Sequence, residues 1–501
     1  MGRNFALYMA AVSLGSVACG DSEDLPGGDP AADAGVADAG SVEPDSGVSD
    51  VGAADAGAAD VGAADSGFVP PAFGEWVMYA PEGATCADGS PYRFFVEFSE
   101  TSDDVVLFFE GGGACWDYAS CTGTGVRSAA NRDGIPEDHA ARYADFLGFG
   151  VSVNQVFPLL NGEASVSPVH NWNKVFVPYC TGDVFAGNRI VTYTDPGGEA
   201  DDLVFHHTGH QNILTMLPLL QEMFPAIPKM LVSGCSAGGS GAINNYSTLR
   251  DGLGPDRGYL INDSGPIFPD TSSTSRSRPL HDRVREAWGL DATINSIDGA
   301  DEILADFGNI NAVLARNYPD DRFASVFFQL DYNYALYSYE RFYEVAPDGQ
   351  IQIFGDGGGV SGLGLDEGRA VDRSAVYSLW ADDTALLRSQ SDAGSNQSYF
   401  LPFFRRTNDS HCLLVPGVDD VPPERLVEFI TSAFDQVAWA GTELPGPDGP
   451  LNVRAYVDRV LDNTQPLESF FEAESEGPFA PCVPGRPEFD AAACEAAVGS
   501  N

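Results

Sequence analysis

The chain has 501 residues and a formal net charge of −47 at pH 7, with 26 lysine and arginine residues against 73 aspartate and glutamate residues. This balance excludes nucleic acid as a main partner, because too few basic side chains are available to neutralise phosphates. It also repels polyanions at long range, although salt screens the repulsion beyond roughly 8–10 Å. A highly acidic polysaccharide would therefore need a locally neutral cleft.

The first 19 residues resemble an export signal. Arg3 precedes a short apolar run that ends at Val17, and the run is too short to span the ~30 Å core of a bilayer as a mature helix. This pattern is typical of a secretory signal peptide. The end of the run resembles a bacterial lipobox, which predicts cleavage before Cys19 and lipidation of that cysteine. Ser16 departs from the usual large aliphatic residue, so a plain signal peptide is the alternative. We expect an exported protein, either a cell-envelope lipoprotein or a secreted one.

Residues 20–68 differ in composition from the rest of the chain. They are rich in alanine, glycine and regularly spaced aspartate, and offer too little apolar surface to offset the entropy of ordering. We predict a disordered acidic tether. The aspartates lack the dense spacing of a calcium loop. Residues 69–501 carry aromatic and β-branched side chains almost throughout, and they exceed the ~250 residues of one compact core. One domain with insertions is predicted.

Strand-like and helix-like segments alternate along this domain. The predicted strands lie at 105–113, 174–180, 229–234, 258–265 and from 324, and the predicted helices at 211–224, 240–254 and 422–439. This order predicts an α/β fold with a mostly parallel central sheet flanked by helices. Active residues are expected at the carboxyl ends of the strands. The glycine-rich segment 353–369 is interpreted as a surface or lid loop.

Cysteine usage is consistent with export. Eight cysteines follow Cys19, and an even number in an exported domain predicts a disulfide framework with 105 possible pairings. Cys482 and Cys494 are close enough in sequence to pair locally. No C-x-x-C pattern of a zinc site is present in the sequence, and neither a metal nor an organic cofactor is predicted.

The stretch GCSAGG contains a candidate nucleophile, Ser236. It fits G-x-S-x-G, a strand pattern precedes it and a helix pattern follows, as a nucleophile elbow requires. A serine nucleophile also needs donors for the developing oxyanion. The Ala237 amide and the glycine loop at 110–115, directly after a predicted strand, are the candidates. The alternative for that loop is an ordinary tight turn.

The chain order serine, acid, histidine restricts the base to His281 or His411. His281 lies in a highly charged segment and is predicted to be a solvent-exposed helix residue. His411 lies in a polar turn before an apolar run, where a base is expected. For the acid we favour Asp331, which follows an apolar strand. Asp263 lies too soon after the serine and is expected to brace the site, and Asp409 is a neighbouring alternative.

Several blocks of the chain together resemble the pectin acetylesterases and their animal relatives, the Notum carboxylesterases. They occur in the family's order between residue 70 and about residue 440, and are found at 84–98, 108–116, 171–188, 231–243, 260–266, 330–334 and 410–415. The resemblance implies an α/β-hydrolase-like fold and an enzyme that removes acyl groups from sugars or, in Notum, a fatty acyl group from a protein.

The resemblance also assigns roles by position. Ser236 matches the nucleophile, Asp331 the acid and His411 the base, and the oxyanion donors match Gly112, Gly113 and Ala237. Plant members carry an aromatic residue where this chain has Ala114, and the usual aspartate after Tyr-Cys is Thr181. These departures concern the substrate cleft more than the chemistry.

The sequence therefore predicts a serine carboxylesterase that hydrolyses O-acyl esters, with acetyl leading, of cell-wall-type polysaccharides. The expected partner is an acylated carbohydrate, and the protein is expected to be monomeric. The alternatives are a Notum-like deacylase of longer acyl esters on protein or lipid, and an inactive glycan-binding lipoprotein. Cys235 and Cys412 each adjoin a proposed catalytic residue. Their sulfurs are expected near the site, either as thiols or in disulfides.

Overall fold

A computed structural model describes residues 68–124, 126–146, 149–358, 363, 373–403, 410–415, 443–447 and 449–472. The predicted signal segment with Cys19, nearly all of the predicted tether, the predicted helix at 422–439 and the pair Cys482 and Cys494 lie outside these residues. Within the described part of the chain, no helix has the length and apolar character needed to cross a membrane.

The secondary structure alternates between strands and helices. The strands are β1 (Trp76–Tyr79), β2 (Phe94–Glu97), β3 (Val105–Phe109), β4 (Ala144–Phe146), β5 (Phe149–Val151), β6 (Asn173–Val177), β7 (Arg189–Tyr193), β8 (Leu203–His207), β9 (Lys229–Cys235), β10 (Arg257–Asp263), β11 (Arg322–Val326), β12 (Tyr343–Val345), β13 (Ile351–Ile353), β14 (Gln397–Leu401), β15 (Leu444–Gly446), β16 (Gly449–Leu451) and β17 (Phe470–Phe471). The α-helices are α1 (Tyr118–Thr122), α2 (Val153–Val156), α3 (Gly209–Met223), α4 (Ala237–Leu253), α5 (Arg278–Trp288), α6 (Leu290–Ile294), α7 (Ala300–Ala305), α8 (Ile310–Asn317), α9 (Tyr332–Tyr339), α10 (Arg373–Asp392) and α11 (Val453–Leu461).

The central sheet has nine strands among the described residues, in the order β1-β2-β6-β3-β9-β10-β11-β14-β17. The pairs β1–β2 and β2–β6 are antiparallel, and the remaining neighbours are parallel. The predicted mostly parallel sheet is therefore confirmed. Every residue of β3 is buried, as is usual where helices cover both faces of a parallel sheet.

Helix α4 is central to the packing. It contacts β3, β9 and β10 on the sheet, and it also packs against α3 and α8. Its amino end follows β9 after a single residue, Ser236. The sheet and α4 therefore place this serine at the carboxyl edge of the parallel strands, where ligands bind in open α/β sheets.

The segment after β11 does not continue as a strand. The strand ends at Val326, and residues from Tyr332 to Tyr339 form α9 instead, with Asp331 as the residue that caps its amino end. The Asp331 carboxylate accepts a hydrogen bond from the Tyr334 amide at 2.9 Å. A side chain that caps a helix amino end satisfies a backbone donor that would otherwise lack a partner, so this aspartate is held in one orientation.

Three disulfides are present among the described residues: Cys86–Cys180, Cys115–Cys121 and Cys235–Cys412. The predicted disulfide framework is confirmed to this extent. Such bonds persist in oxidising compartments and are rare in the cytosol of most organisms, so their presence is consistent with export.

Candidate active site

Ser236 lies on a sharp turn between β9 and α4. Its backbone has φ 58° and ψ −121°, a left-handed conformation that non-glycine residues rarely adopt. Its amide donates to the Asp263 carbonyl at 2.8 Å. A Cβ atom at Gly234 would lie 2.6 Å from the Phe109 carbonyl oxygen, and one at Gly238 would collide with the same oxygen. The flanking glycines are therefore required for the turn to approach β3, and the predicted strand–turn–helix is present.

The glycine loop after β3 lies against this turn. A Cβ atom at Gly111 would be 3.4 Å from the Cβ of Ser236. Gly113 has φ 71°, and a side chain there would collide with Tyr337 and with the Ser128 carbonyl. Gly113 and Ala237 line the same pocket as Ser236. The backbone of the glycine loop therefore lies next to the side chain of Ser236.

Glu110, the residue between β3 and the three glycines, anchors the glycine loop. Its buried carboxylate accepts a hydrogen bond from the Tyr179 amide at 2.8 Å and contacts the Asn131 amide nitrogen at 3.4 Å. One oxygen lies 3.2 Å from Nε2 of His139. Burial alone would lower the pKa of His139, but the charge and hydrogen bond of Glu110 raise it above its ordinary value. The sequence reasoning did not single out Glu110, although an acid between a buried strand and three glycines was the available signal.

The structure brings His411 and Asp331 together. Nδ1 of the histidine lies 2.8 Å from Oδ2 of the aspartate, and both side chains are almost fully buried. Because the other carboxylate oxygen caps α9, the aspartate offers its second oxygen to the imidazole in a fixed direction. A histidine held at Nδ1 by a carboxylate keeps its Nε2 as the reactive nitrogen.

A disulfide places His411 beside the serine turn. Cys235 precedes Ser236, Cys412 follows His411, and the two cysteines are bonded with their Cα atoms 5.6 Å apart. A ring nitrogen of His411 lies within 4.8 Å of both sulfurs. The sulfurs are thus near the proposed catalytic residues, as expected, and the sequence had left their pairing open. Because the two sulfurs are bonded to each other, this group does not offer thiolates to a metal.

Asp263 braces the loop that carries His411. Its two carboxylate oxygens accept hydrogen bonds from the Leu413 and Leu414 amides, each at 2.8 Å. Its neighbour Ser264 accepts from the Cys412 amide at 2.9 Å. Burial raises the pKa of Asp263 to about 7, although the two amides act in the opposite direction. The carboxylate on the imidazole is therefore that of Asp331, while Asp409 lies outside the described residues.

A pocket opens beside Ser236. Its empty volume is about 650 Å³, including the part that opens to solvent, and much of its wall is apolar. The largest apolar groups on the wall are Trp116, Phe268, Trp288 and Phe307. A mostly apolar lining with a few polar groups is typical of small-molecule sites.

His281 also lines this pocket, and the prediction of a solvent-exposed His281 is wrong. The side chain lies on α5, is 5% exposed, and its Nδ1 lies 2.9 Å from the Asp270 carboxylate. Helix α5 buries the face that carries His281, Val284 and Trp288, a helical spacing of three, four and seven residues. The many charges of the segment lie on its other faces.

The fold and the site define an α/β-hydrolase-like protein with a serine on a nucleophile elbow and a buried histidine–aspartate pair. Residues 76–301 match the family described as Pectinacetylesterase. Over this segment, which is a little under half of the chain, the protein is similar to the pectin acetylesterases and to the Notum carboxylesterases. The matched segment includes Ser236 and the glycine loop, whereas Asp331 and His411 lie beyond it.

Individual relatives cover part of the chain. The palmitoleoyl-protein carboxylesterase NOTUM of Drosophila melanogaster is 27% identical over 216 residues, which are 41% of this chain and 30% of that protein. Pectin acetylesterase 7 of Arabidopsis thaliana is 30% identical over 172 residues, 34% of this chain and 39% of that protein. A crystal structure of the Wnt deacylase Notum from Drosophila has 17% identity and a TM-score of 0.41, covering 65% of this chain and 83% of that one. The matches thus span less than half the length of these two curated relatives.

Proposed function

We propose that this protein is an exported serine carboxylesterase in which Ser236 is the nucleophile, His411 the base and Asp331 the acid that orients the base. The observation that carries the proposal is the buried His411–Asp331 hydrogen bond on a loop that is covalently joined to the residue before Ser236. A serine hydroxyl needs this kind of adjacent, oriented base to attack a carbonyl carbon.

In the proposed reaction, Ser236 Oγ attacks the ester carbonyl while His411 takes its proton. The amides of Gly112, Gly113 and Ala237 stabilise the oxyanion. Ala237 is the first residue of α4, so the helix does not use its amide. His411 then protonates the leaving alcohol, an acyl-enzyme remains, and water activated by the same histidine releases the acid. No metal or organic cofactor takes part in these steps.

The leading substrate is an O-acetyl ester of a cell-wall-type polysaccharide, as the name of the plant relatives suggests. The net charge of −47 favours weakly charged glycans over bare polygalacturonate. Higher ionic strength should therefore increase activity on acetylated acidic pectin more than on a neutral acetyl ester. Equal responses would contradict this preference. We further propose that the protein acts as a monomer and is anchored through a lipid on Cys19.

A second candidate is a deacylase of longer acyl esters on protein or lipid. The apolar pocket beside Ser236 favours it, because an acetyl group does not require a pocket with walls of Trp116, Phe268 and Phe307. A bulky, polar sugar fits poorly into such a space, so the pocket suits the acyl side of an ester better than the alcohol side. Comparing turnover of acetyl and octanoyl esters of one alcohol separates the two candidates.

The decisive experiment measures release of acetate from a panel of acetylated polysaccharides and from p-nitrophenyl acetate, with wild type and the Ser236→Ala variant. We expect turnover by the wild type and its near-complete loss in the variant, since removing the nucleophile of such a triad lowers kcat by about 10⁶-fold. Full activity of the variant would disprove the nucleophile assignment. An inactive wild type that still binds the glycans would support the glycan-binding alternative instead.

A further inference from the structure

The pocket beside Ser236 is not uniformly apolar. Helix α4 presents Ala237, Ser240 and Asn244 to it, and these residues share one face because they are spaced by three and seven positions. At 1.5 Å per residue, Asn244 lies about 10 Å along the helix from the start of α4. A polar group therefore stands on the pocket wall at a distance from the nucleophile that an acetyl group does not reach.

The side-chain nitrogen of Asn244 is buried and has no hydrogen-bond partner among the described residues. The other polar side chains of the pocket differ in this respect. Ser240 contacts the Gly265 carbonyl and Tyr334, Ser338 donates to the Tyr334 carbonyl, and Ser277 donates to Asp383. A buried donor without a partner is unfavourable, and Asn244 lines the pocket, so a ligand that accepts a hydrogen bond would satisfy it.

His281 supplies a group of the opposite kind on the same pocket wall. The hydrogen bond from Nδ1 to Asp270 keeps the proton of the neutral ring on Nδ1, which makes Nε2 an acceptor. Asp270 is held in turn by Arg278 at 3.3 Å. The pocket therefore combines apolar walls with one amide donor and one imidazole acceptor. A hydroxyl group is the simplest substituent that offers an acceptor to the amide and a donor to the imidazole.

We propose that the pocket selects an acyl group of medium length that carries a hydroxyl group distant from its carbonyl, with Asn244 donating to the hydroxyl oxygen and His281 accepting its proton in a hydrogen bond. This inference rests on the proposed esterase function in its second form, a deacylase of longer acyl esters, and names the acyl group of that reaction. A pocket with these two polar groups should prefer the hydroxylated acyl chain. A wholly apolar pocket would discriminate only weakly between two chains that differ by one hydroxyl.

The test compares kcat/KM for matched pairs of methyl esters: hexanoate with ω-hydroxyhexanoate, octanoate with ω-hydroxyoctanoate, and phenylpropanoate with para-hydroxyphenylpropanoate. We expect the wild type to prefer the hydroxylated member of at least one pair roughly 3- to 10-fold. Asn244→Leu, which keeps the volume of the side chain, should abolish that preference, and His281→Gln should retain part of it because glutamine also offers an acceptor. Ratios within one variant cancel any loss of folded protein.

Ser338→Ala is the matched control, because Ser338 lines the same pocket but its hydroxyl is already bonded to the Tyr334 carbonyl. It should leave the hydroxyl preference unchanged. Turnover of methyl acetate without a hydroxyl preference in any pair would overturn this inference and leave the esterase proposal intact. Absence of turnover for every ester, acetate included, would overturn both. An undiminished preference in Asn244→Leu would disprove the role of that residue.

Discussion

The disulfide Cys235–Cys412 should contribute to catalysis as well as to stability. It closes a loop of 177 residues and joins the chain beside Ser236 to the chain beside His411. The perturbation is the double variant Cys235→Ala/Cys412→Ala. In the chain-entropy description, a loop of this length corresponds to about 5 kcal/mol of the free energy of unfolding. That is a large share of the ~5–15 kcal/mol that most proteins have.

The matched control is Cys86→Ala/Cys180→Ala. Its loop spans 94 residues, which also corresponds to about 5 kcal/mol, but neither cysteine adjoins Ser236, Asp331 or His411. Because stability falls similarly in both variants, a difference in activity reports on the position of His411. A displacement of about 1 Å from the productive geometry can lower the rate about 10²-fold. We expect a loss of this size only in the Cys235→Ala/Cys412→Ala variant.

The assay combines urea unfolding with hydrolysis of p-nitrophenyl acetate, measured at a temperature and urea concentration at which both variants are folded. Activity is expressed per folded molecule, and Cys115→Ala/Cys121→Ala serves as a third point. Its loop spans 6 residues, so only about 2 kcal/mol should be lost. Equal activities per folded molecule in the two long-loop variants would refute the reasoning that the disulfide positions the base.

Two further predictions concern buried ionisable groups. Asp263→Asn leaves one acceptor oxygen for the Leu413 and Leu414 amides, so one of these amides faces an NH₂ group, at a cost of about 1–3 kcal/mol. Urea unfolding should show this loss of free energy of unfolding. In hydrolysis of p-nitrophenyl acetate, kcat should fall by a larger factor than KM rises. Unchanged kcat would contradict the bracing role. The raised pKa of His139 means that its charged pair with Glu110 stabilises the fold fully below the ordinary value of 6.5 and that this contribution is lost as pH rises through the higher folded pKa. His139→Gln should therefore flatten the decline in unfolding free energy above pH 6.5, and an unaltered slope would exclude this pair as its source.

The parts of the site that could be predicted from the sequence depend on local patterns. The turn at Ser236 is determined by residues within a few positions, because glycines at 234 and 238 are needed wherever such a turn approaches a neighbouring strand. The order of acid and histidine along the chain then restricted the other two roles. His411 and Asp331, chosen on that basis, are in fact hydrogen-bonded. The alternation of strands and helices likewise determined the parallel sheet.

The features that were missed depend on tertiary contacts. His281 lies in a segment dense in charge, yet α5 turns it inwards, where Asp270 and Phe307 surround it. Eight cysteines allow 105 pairings, so the bond between Cys235 and Cys412 has no local signature. The sequence gives no reason to single out Asn244, because an asparagine within a helix is usually solvated. Its burial and its place on the pocket wall follow from the tertiary packing of α4.

The family match ends at residue 301, and both the proposed catalytic residues and the pocket wall extend past that boundary. Asp331 and His411 lie beyond residue 301, but Cys235 and Asp263, which hold the loop of His411, lie within the matched segment. The loop that carries His411 lies after the matched segment but is held by anchors within it. The pocket wall is divided in the same way, because Asn244 and His281 lie inside the match whereas Phe307 and Tyr337 lie outside it. Sequence changes after residue 301 can thus alter the width of the pocket beside Ser236, through residues such as Phe307, without changing the anchors that hold His411 beside Ser236.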